Sequence, residues 1–142
     1  MKPIKSSVAF VVWNETNDRV LSVQRPANDE NLPNVWGLPA GSLREGETFE
    51  DSVLRSGKEK LGTQLEIVKL LVEGDIERER YVLHMKEFEA RIISGTPVVP
   101  QNVAEVTQYQ NWKWAEPKLM VEAAQKGSLC SRLFLNRLGI PF

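Results

Sequence analysis

Residues 8–13 form the longest apolar run of the chain, six residues rich in β-branched and aromatic side chains, closed by Asn14 and Glu15. Residues 20–25 are a second β-type stretch, and the turn-rich residues 14–18 between them predict a hairpin. Residues 26–34 read as loop, and Val35-Trp36-Gly37-Leu38 as a short apolar segment leading into Pro39-Ala40-Gly41. From Thr48 to Leu61 the period changes. Phe49, Val53 and Leu61 recur at multiples of four and Leu54 widens the stripe, which is the pattern of a core-facing helix. Thr48 is its expected N-cap, Asp51 supplies a carboxylate at the positive helix end, and Gly62 fits a left-handed stop. Gly57 falls on the apolar stripe, so a neighbour fills the missing volume or the helix packs closer there. If space remains, Gly57→Ala stabilises the helix by up to about 1 kcal/mol.

Residues 64–73 and 80–93 are long β-type segments, with the charged residues 74–79 expected as the turn between them. Residues 94–102, holding Pro97 and Pro100, read as loop, and residues 109–115 as another strand with Trp112 and Trp114 on one side. The tail, residues 117–138, is helical with a break at Gly127-Ser128. The order β-β-β-α-β-β-β-α spaces its strands too unevenly for a doubly wound repeat. It predicts an α/β (α+β) fold with a mixed sheet and helices on both faces.

Length fits one domain spanning residues 1–142, since domains run to roughly 100–200 residues. Eighteen Lys and Arg stand against nineteen Asp and Glu, a net charge of -1, which argues against a dedicated nucleic-acid binder. No run reaches the roughly 20 apolar residues of a membrane span, so no membrane partner is expected. Cys130 is the single cysteine, which with no secretory pattern points to a reducing cytoplasm. With His84 as the single histidine, a Cys/His zinc site has no ligand set, and carboxylate chemistry with a hard metal stays open.

Glu47, Asp51, Arg55 and Glu59 recur every four residues, on one face of the helix and its entry turn. Carboxylates on a rigid helix, beside a glycine turn with free carbonyls, suit Mg²⁺ held against a diphosphate. An arginine among them orients a carboxylate or meets a phosphate oxygen. A solvated face with helix ion pairs of about 0.2–0.5 kcal/mol each explains the same spacing. Spacing alone leaves both readings open.

The order Gly41, five residues, Glu47, seven residues, Arg55, then Glu59 and Gly62, resembles the Nudix box, G-x5-E-x7-R-E-U-x-E-E-x-G-U, matching five of its nine defined positions. The flanks agree: Trp36-Gly37-Leu38-Pro39-Ala40-Gly41 is similar to the family's entry to the box, and Trp114-Ala115-Glu116-Pro117 to its late tryptophan segment. The resemblance covers about residues 7 to 125 and implies a Nudix-like α/β/α sandwich with a mixed sheet. It also implies a hydrolase cleaving the diphosphate bond of a nucleoside diphosphate linked to another group, with Glu47, Arg55 and Glu59 catalytic. Glu59, Glu105 and the backbone carbonyl of Gly41 would be metal ligands. Lys60, Arg25 and Arg78 would meet the substrate, a nucleotide-like small molecule, and many relatives are homodimers.

Departures fall on the carboxylates. Ser56 and Lys60 stand where the pattern has glutamates, and Gly57 and Thr63 where it has bulky apolar residues. Ser56, Glu59 and Lys60 together sum to zero charge, where the family offers -3. Mg²⁺ or Mn²⁺ is therefore expected to bind weakly, with substrate phosphates supplying most ligands, and turnover to be reduced. The alternative the departures raise is a Nudix-fold module that binds a nucleotide-like ligand without turning it over. Lys60 can itself stand in for part of a cation's role against phosphate, as a point charge.

Overall fold

The first strand, β1 (Ile4–Val11), turns Val8 and Phe10 to one side and Ala9 and Val11 to the other, and all four are fully buried. A strand buried on both faces reads as an unbroken apolar run, which is why its sequence shows no alternation. In the computed structural model, which describes all 142 residues, β1 lies inside a mixed four-stranded sheet. It pairs in parallel with β6 (Val82–Ser94) and antiparallel with β4 (Ala40–Ser42), while β5 (Gln64–Glu77) adds to the outer side of β6. A second, antiparallel sheet has β2 (Val20–Gln24) between β3 (Trp36–Gly37) and β7 (Asn111–Ala115).

The expected hairpin of residues 8–25 is therefore corrected. β1 and β2 belong to different sheets, and only the chain between them pairs, at the isolated bridge Trp13 to Val20, where Leu21 N–H donates to Val12 O and Asn14 N–H to Arg19 O, both at 2.9 Å. Both strands are covered on two faces, so each finds better partners elsewhere than in the other. The charged stretch 74–79 is mostly strand as well: β5 runs to Glu77 and the turn occupies residues 78–81. Alternating charged residues such as Asp75 and Glu77 continue a ladder at a solvent-exposed edge, a role their composition conceals.

Helices cover both sides. α1 (Phe49–Leu61) packs Val53 and Leu61 against Val8, Phe10 and Phe88. Its start is the capping box expected of Thr48 and Asp51, and Gly62 closes it in the left-handed region at φ 69°. On the other side α3 (Leu129–Leu138), preceded by a 3₁₀ turn (Pro117–Met120) and the short α2 (Val121–Gln125), packs Phe134 and Leu135 against Ala9 and Val11. The break between α2 and α3 falls at Gly127-Ser128, as the sequence indicates.

Two glycines set how closely α1 approaches its surroundings. At Gly57 an added Cβ would lie 2.7 Å from Leu65 Cγ, so Leu65 from β5 occupies the volume that the pattern gives to a bulky helix residue. At Gly41 a Cβ would collide with Ser56 Oγ, so this glycine and this serine bring helix and strand together beside the box turn. The second core also holds an acid. Glu87, in register with Ala9, is fully buried with neither oxygen hydrogen-bonded, and burial pushes its carboxyl well above the ordinary range.

Candidate active site at the box helix

The turn from β4 into α1 puts Glu47 just before the N-cap, where its carboxylate bends back and accepts from Arg44 N–H at 2.7 Å. Two turns along the helix Arg55 faces the same way. Its Nε donates to Glu47 Oε2 at 2.7 Å and its Nη2 to Glu47 Oε1 at 3.0 Å, a bidentate pair. The same Nη2 donates to Ser42 O at 2.8 Å, tying β4 to α1. Arg55 chiefly holds the Glu47 carboxyl below the usual carboxylate range, and Glu47 in turn raises Arg55. Arg55 thus orients a carboxylate and a strand end.

Glu59 sits one turn further. Arg44 Nη2 donates to its Oε1 at 2.7 Å, and Arg55 Nη1 lies 3.7 Å from its Oε2. Sequence reading missed Arg44, whose signal is its place between Gly41 and Glu47 within reach of two box carboxylates. Asp51 is committed to the capping box, and Glu50 is exposed.

At the far end of α1, Lys60 turns into the interior beside β4. Its Nζ donates to Ala40 O at 2.5 Å and lies 5.4 Å from the centre of the Tyr109 ring. Tyr109 OH donates to the same carbonyl at 3.1 Å and accepts from Ala40 N–H at 2.9 Å. A cavity of about 900 Å³ opens here and is lined by Gly41, Lys60, Arg25 and Arg78 among others. Arg25 pairs with Asp29 at 3.2 Å, and Arg78 Nη2 donates to Gly127 O at 3.0 Å. The structure thus brings Lys60, Arg25, Arg78 and Gly41 to one cavity, while Glu47, Arg55 and Glu59 lie outside its lining and Glu105 stands exposed in a loop. Lys5, Arg80 and Lys126 add three cations to the lining, so it holds six against the acids Asp29, Glu30 and Glu79. No spacing in the sequence announces that convergence, because the six come from five separate segments. Trp36 is in the lining too, with Lys113 Nζ 4.4 Å from its ring centre.

The NUDIX domain profile matches residues 3–134, nearly the whole chain. The chain belongs to the NUDIX domain family. Among curated relatives, Nucleoside triphosphatase NudI of Escherichia coli O139:H28 is 27% identical over 111 residues, covering 74% of this chain and 79% of that protein. Among solved structures, a NUDIX hydrolase from Nitrosomonas europaea superposes with a TM-score of 0.74 at 16% identity, covering 97% of this chain and 89% of the other. The MutT protein from Methanosarcina mazei Go1 gives 0.72 at 16%, covering 97% and 92%. These likenesses establish the sandwich.

NUDIX hydrolases generally use divalent metal ions, and the donor set here does not fit one. No group of three His, Cys, Asp or Glu side chains converges anywhere in the chain. Glu47 and Glu59 are engaged by arginines, and Ser56, at a carboxylate position of the box, is fully buried with its Oγ unpartnered. Lys60, at another, turns its ammonium into the cavity beside Gly41. Two cations at about 5 Å, one of them divalent, repel by about 6–7 kcal/mol at an effective dielectric of 20. Residues 41–62 keep the helix and turn of the NUDIX box without its metal ligand set.

Proposed function

We propose that this NUDIX protein acts on a nucleotide carrying a diphosphate linkage, and that its hydrolysis of that linkage is slow. The cationic cavity beside Gly41 carries the reading: it is wide enough for a nucleotide, and six basic side chains suit a polyanion. Trp36 offers an aromatic surface at one wall for a base. The overall reaction adds water across the P–O–P linkage, one phosphorus gaining the hydroxyl oxygen and the bridging oxygen leaving with the other phosphate. Arg55 positions Glu47 in that reading, and Glu59 is the one box glutamate left near the helix end. Losing a positioned general base typically forfeits about 10²–10⁴ in rate, and Ser56 provides none. The free, buried Cys130 suits a reducing compartment, consistent with the cytoplasm.

One observation favours a second reading, a nucleotide-holding module with no turnover: both box glutamates are paired with arginines while the cavity is intact. A hydrolysis screen separates the two. Nucleoside triphosphates, ADP-ribose, dinucleoside polyphosphates and NADH are incubated with Mg²⁺ and Mn²⁺ in parallel, alongside binding measurements for each compound. Slow product formation from a compound that binds supports the hydrolase. Binding with no product after exhaustive incubation supports the module, and absence of binding refutes both.

A further inference from the structure

We infer that the Lys60 ammonium is a built-in cation of the phosphate site, so that the protein binds the diphosphate of its ligand without a divalent metal. The inference rests on the nucleotide-cavity reading above and adds what neutralises the ligand's charge.

Four observations carry it. Lys60 is half-buried and lines the cavity, yet no carboxylate lies within 4 Å of its Nζ to form an ion pair. Its one hydrogen bond goes to Ala40 O, which leaves two of the three ammonium N–H donors without a protein partner. The Nζ is fixed rather than floating: Ala40 O holds it at 2.5 Å, the Tyr109 ring lies beneath it, and Tyr109 OH shares the same carbonyl. Finally, Nζ stands beside the box turn: the place a Gly41 Cβ would take is filled by Ser56 Oγ and lies 3.9 Å from Nζ, and Gly41 and Lys60 line the same cavity.

A cation held by one carbonyl and an aromatic face, with two donors free, suits a phosphate oxygen. Ammonium is a point charge with rotatable donors, and it binds phosphate where a planar guanidinium would demand bidentate geometry. A structural latch would account for the Ala40 contact alone. It does not account for an unpaired charge in a cavity whose six cations outnumber its three acids, because an excess of like charge without a bound anion destabilises the free protein. The arrangement is therefore compensated when an anion enters.

The test measures binding of ADP and of inorganic pyrophosphate by calorimetry, in EDTA and again in excess Mg²⁺, for the wild type, Lys60→Gln and Lys58→Gln. Lys58 is an exposed lysine on the same helix and controls for net charge. The inference expects wild-type affinity in EDTA to lie within about threefold of that in Mg²⁺. It expects Lys60→Gln to lose about tenfold or more in EDTA, the size of one charge-assisted hydrogen bond, and Lys58→Gln to be unchanged. A thermal melt of each variant is read alongside. Wild-type binding that collapses in EDTA overturns the inference and leaves the nucleotide reading standing. So does Lys60→Gln that binds both probes like wild type, with or without a lowered melting temperature. Failure of both probes to bind in either buffer overturns the nucleotide reading and the inference together.

Discussion

Replacing Gly57 by alanine sets two known quantities against each other. In a helix interior alanine is favoured over glycine by about 1 kcal/mol, so the substitution stabilises α1 wherever its methyl fits. At this position it does not fit. The methyl carbon would collide with Leu65 Cδ1 and lie 2.7 Å from its Cγ, against 3.4 Å or more for ordinary contact, so Leu65 must retreat by about 1 Å. Leu65 is only 5% exposed and packs among Leu61, Val53 and Phe88, so it has little room to move. Overpacking of this kind costs about 1–3 kcal/mol. The propensity gain offsets part of that, leaving a net loss of about 0–2 kcal/mol, centred near 1. The assay is denaturant unfolding of wild type and Gly57→Ala, with the same substitution repeated in a Leu65→Ala background. Truncating Leu65 removes the colliding Cγ and Cδ1, so the alanine at 57 should then cost at least about 0.5 kcal/mol less, as expected of residues in contact. A Gly57→Ala protein with a higher midpoint than wild type would refute the packing argument. So would a cost that is the same in both backgrounds, since it would place the strain elsewhere.

Other consequences are independent of that one. Glu47→Gln should lose about 1.5–3 kcal/mol at neutral pH, the range for hydrogen bonds to charged groups. Because Arg55 lowers the folded pKa of Glu47, the wild-type advantage is present above the unfolded carboxylate value and vanishes as pH falls through the folded one. Denaturant midpoints of both proteins at pH 7 and pH 3 check this, and a gap that widens in acid contradicts it. Glu87 runs the opposite way. Its raised folded pKa means the unfolded chain releases the proton first, so wild-type stability falls as pH rises above the unfolded value. Glu87→Gln should therefore gain on wild type between pH 5 and pH 8, and an advantage that shrinks over that range would show Glu87 to be ionised and paired. The pair Ser56→Glu and Lys60→Glu should create Mg²⁺ affinity absent from wild type and raise Mg²⁺-dependent diphosphate hydrolysis by at least about 10²-fold. If the folded double variant gains neither, the box carboxylates are not what limits this site.

The helix was readable in the sequence to within a residue because each of its signals is local. Thr48 and Asp51 cap it, the four-residue apolar period gives its face, and Gly62 ends it, all within fifteen positions. The box face was readable for the same reason, and Arg55 and Glu47 do meet. The pairing of β1 with β6 was not, since residues 4–11 find partners at 82–89 and proximity in sequence suggested β2 instead. The cavity was hidden for a related reason. Arg25 and Arg78 were singled out as phosphate contacts, but Lys5 and Lys126 carry no local motif and reach the cavity only through the tertiary fold. Tyr109 looks like an ordinary strand residue, and its bonds to Ala40 span 69 positions. Gly57 was legible as an anomaly, and its resolution by Leu65 needed the packing of β5 against α1.

The claim that organises the site is that this NUDIX box presents an ammonium where a divalent cation would be held. Calorimetric titration of Mg²⁺ and Mn²⁺ into the nucleotide-free protein tests it most directly, because no ligand phosphate is then present to supply oxygen donors. With Glu47 and Glu59 held by arginines and Lys60 on Ala40 O, the account predicts no site of micromolar affinity for either ion. A stoichiometric micromolar site would contradict it.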